Sequence, residues 1–170
     1  RSRVLDKVTP GCEWVLRGEG RPTRKYDGTC VLIRRDLNAV IGFARRTVKP
    51  GKVTPPGFVQ VDFDDVTGIA VGWEPIESSG FAQAFDEAVT NHDGSVSGSL
   101  TPGTYELCGP KINGNPEGLT EHTLFSHERA ESAPLDLFLR ESLTAELLRH
   151  SIAATSPWEG IVWHHPDGRM

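Results

Sequence analysis

Lys25-Tyr26-Asp27-Gly28-Thr29 sets a lysine two residues before an aspartate and three before a glycine, at the entrance to the apolar run Cys30-Val31-Leu32-Ile33. A lysine so placed can act as a nucleophile. Its amine attacks phosphorus only after losing a proton, so the chemistry asks for other cations or a metal close by. Arg21, Arg24, Arg34 and Arg35 lie within ten residues of it and supply candidate cations. Two carboxylates follow on short apolar stretches. Glu106 stands in Tyr105-Glu106-Leu107-Cys108-Gly109, which runs into the turn-rich Pro110-Lys111-Ile112-Asn113-Gly114-Asn115-Pro116, and Glu159 opens Glu159-Gly160-Ile161-Val162-Trp163. The order along the chain is lysine, glutamate, glutamate.

Short strands must hold these residues. Alternation predicts strands over Cys12 to Leu16, Thr29 to Arg34 and Asn38 to Arg45, the last two joined as a hairpin through Arg35-Asp36-Leu37, with Lys25 just ahead of the second. The stretch from Lys49 to Gly57 is breaker-rich and reads as a surface loop, followed by strands near Phe58 to Asp62 and Ile69 to Trp73. Helical spacing of Phe81, Ala84, Phe85, Ala88 and Val89 predicts a helix from about Gly80 to Thr90, with Ser78 and Ser79 as candidate caps. Asn91 to Ser95 reads as a turn and Ser95 to Gly103 as a polar loop. Thr104 to Cys108, Thr120 to Ser126 and Glu159 to Trp163 read as strands. Leu135, Phe138, Leu139, Leu143, Leu147 and Leu148 give an amphipathic helix from Pro134 to about His150. The class is α+β.

A length of 170 residues suits one domain with a substantial core. No apolar run approaches the roughly 18 to 20 residues of a membrane span, and the N-terminus lacks a signal-like apolar segment, so an intracellular location is expected. Cys12, Cys30 and Cys108 are odd in number and widely spaced, which argues against a disulfide framework or a zinc ribbon. Residues 1 to 56 hold 13 Lys and Arg against 5 Asp and Glu, although the whole chain carries −5. A basic face suited to phosphates is the consequence if that first third forms one surface.

The three elements K-x-D-G, E-L-x-G and E-G-I-V, in this order, resemble the covalent nucleotidyltransferase superfamily of polynucleotide ligases and capping enzymes, which carry a nucleotide on a lysine. Thr29 is followed by Cys30 where DNA ligases and capping enzymes usually have arginine, so the chain looks most like the ATP-dependent 5′-to-3′ RNA ligases. The resemblance spans about Trp14 to Met170. It implies an ATP-grasp-like domain of mainly antiparallel sheets and a few helices over 1–170, with ATP and Mg²⁺ (or Mn²⁺) as cofactors and RNA ends as partners. Lys25 would take AMP from ATP, Asp27 would orient metal-bound water or the lysine, and Glu106 would contact the ribose or the metal shell. Glu159 and Asp27 would serve the divalent cation. Arg24 and Gly28 would bind the cofactor, whichever of Arg45 and Arg46 points inward would hold a phosphate of ATP or of the RNA 5′ end, and Phe125 would stack on adenine.

The superfamily also has a K-x-K element shortly after E-G-I-V, whereas no lysine follows Lys111 here. A segment truncated before that element is the expectation. Two alternatives stay open: a DNA ligase or capping-type enzyme, and a catalytically incomplete nucleotide- or RNA-binding domain.

Overall fold

The computed structural model describes residues 7–37, 39–93, 100–133 and 158–167. These form two units of an α+β chain, one from the residues up to Tyr26 and from Ala130 onward, the other from Asp27 to Arg129. Both sheets are antiparallel throughout. The helix expected over Pro134 to His150 lies outside the described residues.

In the first unit, β1 (Arg21–Lys25) pairs with β8 (Gly160–His164), setting Lys25 opposite Gly160 and Thr23 opposite Val162. Residues 130–133 run along the other edge of β1, where Arg24 N–H donates to Glu131 O (2.8 Å) and Ala133 N–H to Pro22 O (3.0 Å). Thr23 is fully buried, and its hydroxyl lies 2.9 Å from His164 Nε2. Alternation does not predict β1, because charged residues and Pro22 fill it and only its middle is buried. Cys12 to Leu16, expected as a strand, instead contains a single helical turn, α1 (Glu13–Leu16), which buries Trp14 against the edge of His165. Four residues with one buried side chain carry too little periodicity to tell the two apart.

The second unit is a six-stranded sheet in the order β4-β5-β3-β2-β6-β7. The strands are β2 (Thr29–Asp36), β3 (Ala39–Val48), β4 (Val59–Asp64), β5 (Ile69–Pro75), β6 (Gly103–Cys108) and β7 (Thr123–Ser126). The hairpin between β2 and β3 turns at Leu37, with φ 50°. One sheet face carries Val31, Ile33, Ala44, Tyr105, Leu107 and Leu124, packed against Ala84, Phe85 and Ala88 of α2 (Ala82–Asp93). That helix starts two residues after the expected point and continues through Asn91 to Asp93, where a turn was expected. β7 begins three residues later than expected, after the bend at Thr120–Glu121.

Among the described residues no helix is long and apolar enough to cross a membrane, and the three cysteines are free thiols. Leu107 is fully enclosed in the core. Leu107→Ala should lower stability by about 2–5 kcal/mol, whereas Val66→Ala, at a 95% exposed position, should change it by no more than about 0.5 kcal/mol. Urea unfolding checks both; equal effects would contradict this placement of the core.

Candidate active site

Strand pairing in the first unit brings the K-x-D-G lysine to the E-G-I-V glutamate. Lys25 ends β1 opposite Gly160, the aliphatic stem of Lys25 crosses the open space above that glycine, and its Nζ forms an ion pair with Glu159 Oε2. A Cβ at position 160 would lie 3.7 Å from Lys25 Cδ and 3.9 Å from Lys25 Cβ, in ordinary contact with the stem. Both charged groups are partly open to water, at 45% for Lys25 and 38% for Glu159. Arg24 next to it lies 4.6 Å above the Tyr26 ring and 5.7 Å from that of Trp158, with Nη1 3.5 Å from Glu131. Its guanidinium is therefore held between aromatic faces.

In the second unit, cross-strand register lines up one row of side chains. Phe125 pairs with Glu106, Glu106 with Cys30, Arg45 with Trp73, and Trp73 with Val59. Val31 pairs with Ala44, so Cys30 and Arg45 come next to each other one step along. Opposed residues share a face, and this face is the one away from the α2 core. Arg45 thus joins Glu106 and Phe125 on the face away from α2. Arg46 points the other way, its Nε 3.9 Å from the buried carboxylate of Glu74. Strand alternation separates the two arginines that the sequence could not.

Glu106 is oriented by His127, which is itself anchored to Thr104 on the same strand. His127 Nε2 lies 3.0 Å from Glu106 Oε2, and His127 Nδ1 lies 3.0 Å from Thr104 Oγ1. The carboxylate accepts from Nε2–H, and Nδ1 shares a hydrogen bond with the Thr104 hydroxyl. Beside this pair, burial pushes the Cys30 thiol up to about 11; Glu106 adds to the rise and Arg45 opposes it. Cys30 thus lies within reach of both charged neighbours in the row.

Asp27 and Gly28 lie against the same end of the sheet. A side chain at Gly28 would collide with Leu107 O, with Cys108 Sγ (2.6 Å) and with Glu106 Cγ (3.0 Å), so only glycine allows this backbone to approach β6. Asp27 N–H donates to Glu117 Oε1 (3.0 Å), and Asn113 Nδ2 donates to Asp27 Oδ1 (3.0 Å) and Gly28 O (2.7 Å). Sequence reasoning marked the loop from Pro110 to Pro116 but assigned no role to Asn113 or Glu117, nor to His127.

A separate cleft of about 380 Å³ is lined by Glu87, Pro110, Lys111, Thr120, Glu121 and His122. It includes none of the expected site residues. There the buried His122 imidazole, 2.6 Å from Glu87, holds that carboxyl below the usual range, helped by Gln83. Among the described residues no three His, Cys, Asp or Glu side chains gather as a protein-only metal cage. Mg²⁺ commonly takes one or two carboxylates together with phosphate oxygens and water, which single carboxylates such as Glu159 or Asp27 suit.

The Cys30 thiol gives a pH test of the row. Unfolded, it ionises near 9; folded, near 11. The folded state therefore retains the proton longer, and the stabilisation from this group is complete below pH 9 and lost as the pH rises towards 11. Relative to Cys30→Ala, wild type should lose stability across that window in urea titrations. A constant difference would contradict the burial of the thiol beside Glu106.

No protein-family model matches the chain, and a search of curated proteins finds no match.

Proposed function

We propose that the chain is the adenylylating domain of an ATP-dependent RNA ligase, with an ATP-grasp-like fold. The observation that carries the reading is the Lys25–Glu159 ion pair. Two residues 134 positions apart, singled out by separate motifs, meet through strand pairing. A partly exposed ion pair contributes little to stability, typically about 0–1 kcal/mol, so the fold has small energetic need of it. Its value is chemical.

In this reading Lys25 Nζ, having given up a proton, attacks the α-phosphorus of ATP. The N–P bond forms, the bond from that phosphorus to the bridging oxygen breaks, and pyrophosphate leaves with the electron pair. The RNA 5′-phosphate then displaces the lysine from AMP, and the RNA 3′-hydroxyl displaces AMP to join the ends. Bound Mg²⁺ would supply charge neutralisation on the phosphates, and Glu159 and Asp27 are each a carboxylate of the kind that suits it. Arg45 offers a planar fork to a phosphate, and Glu106, fixed by His127, offers an acceptor to ribose hydroxyls. Phe125 sits next to Glu106 on the face away from α2 and suits stacking on adenine.

Incubation with α-labelled ATP and Mg²⁺ should label the protein in an acid-labile, alkali-stable bond, with no label on Lys25→Ala and at least about tenfold less on Glu159→Ala. Label that persists in Lys25→Ala would overturn the assignment. GTP in place of ATP, or nicked DNA in place of RNA, distinguishes capping and DNA-joining activities. ATP binding without transfer would mark a domain that holds the nucleotide and does no covalent chemistry.

A further inference from the structure

Asn113 belongs to the turn Asn113-Gly114-Asn115, three consecutive residues with φ of 48°, 76° and 60°. Asparagine tolerates this left-handed region better than most residues, so its backbone alone could explain its presence. Its side chain does something further. The amide Nδ2 carries two hydrogens, and both are directed at the K-x-D-G element, one at Asp27 Oδ1 and one at Gly28 O. Both partners can only accept, which fixes the orientation of the amide.

The loop is built to hold that amide in place. Ile112 is buried at 2% exposure, Asn115 N–H donates to Ile112 O (2.7 Å), and Asn115 exchanges two hydrogen bonds of 2.9 Å with the backbone of Leu119. Glu117, on the same loop, accepts the Asp27 N–H. Donor and acceptor from one loop thus bond the side chain, amide and following carbonyl of the motif, while Gly28 packs closely against β6.

We infer that Asn113, supported by Glu117, is a positioning residue that sets the direction of the Asp27 carboxylate for nucleotidyl transfer. The inference rests on the proposed lysine-AMP chemistry. Loss of the amide lets the carboxylate rotate, and a small misplacement of a group beside the reacting phosphate is enough to slow transfer by about tenfold or more.

Asn113→Gly separates the two roles, because glycine accepts φ 48° without strain yet has no amide. Three readouts apply: single-turnover label transfer from ATP at saturating concentration, urea unfolding, and hydrogen exchange at the Asp27 and Gly28 amides without nucleotide. The expected result is a transfer rate about tenfold lower or worse, an unchanged urea midpoint and faster exchange at those amides. Asn113→Asp, which retains turn tolerance but sets a second carboxylate against Asp27, should slow transfer as well. Wild-type transfer by Asn113→Gly would show that only the backbone matters and overturns this inference alone. Wild-type protein that itself takes no label overturns the underlying reading and this inference together. If Asn113→Gly fails to fold, normal transfer by Asn113→Asp has the same overturning force.

Discussion

Antiparallel register between β1 and β8 is the constraint on which the chemistry proposed for this chain depends. It sets Lys25 across from Gly160, so that the lysine stem runs beside that glycine and its amine meets Glu159, the residue before it. A shift of the pairing by one residue would turn Lys25 to the opposite face, since side chains alternate with period two. Buried Thr23 and the hydrogen bonds of β1 to residues 131 and 133 act against such a shift, because a slipped strand would leave polar groups unmatched inside.

The same alternation organises the second unit. Its sheet turns aliphatic side chains toward α2 and leaves the other face with Phe125, Glu106, Cys30, Arg45 and Trp73 in one cross-strand row. Such a row offers aromatic surface, an oriented acceptor and a guanidinium within a few strand spacings, each spacing about 4.8 Å. That is the set of contacts a nucleotide can use: a flat ring, hydroxyls and phosphates. Rigidity comes from the sheet, and orientation from side chains outside the motifs, His127 at Glu106 and Asn113 at Asp27.

Much of this was legible in the residue pattern, and the rest was hidden for identifiable reasons. β2, β3, β5 and β6 carry clear alternation, and α2 carries Phe81, Ala84, Phe85 and Ala88 at helical spacing, so they could be placed to within a few residues. β1 could not, because a strand of Arg, Pro, Thr, Arg and Lys holds its place through pairing and not through an apolar face. The choice between Arg45 and Arg46 required the register with β5, which no local pattern encodes. Asn113 stood out only as a turn former; its partner lies 86 residues away. His127 likewise shows its meaning only once β7 is laid beside β6.

In the proposed reaction the amine of Lys25 accepts a nucleotide. Peptide mass spectrometry after incubation with ATP and Mg²⁺ tests it most directly. The mass of AMP should appear on the peptide containing Lys25, fragment to that side-chain nitrogen, and vanish on addition of excess pyrophosphate, which reverses the transfer. An unmodified Lys25 peptide, or AMP found on another residue, would contradict it.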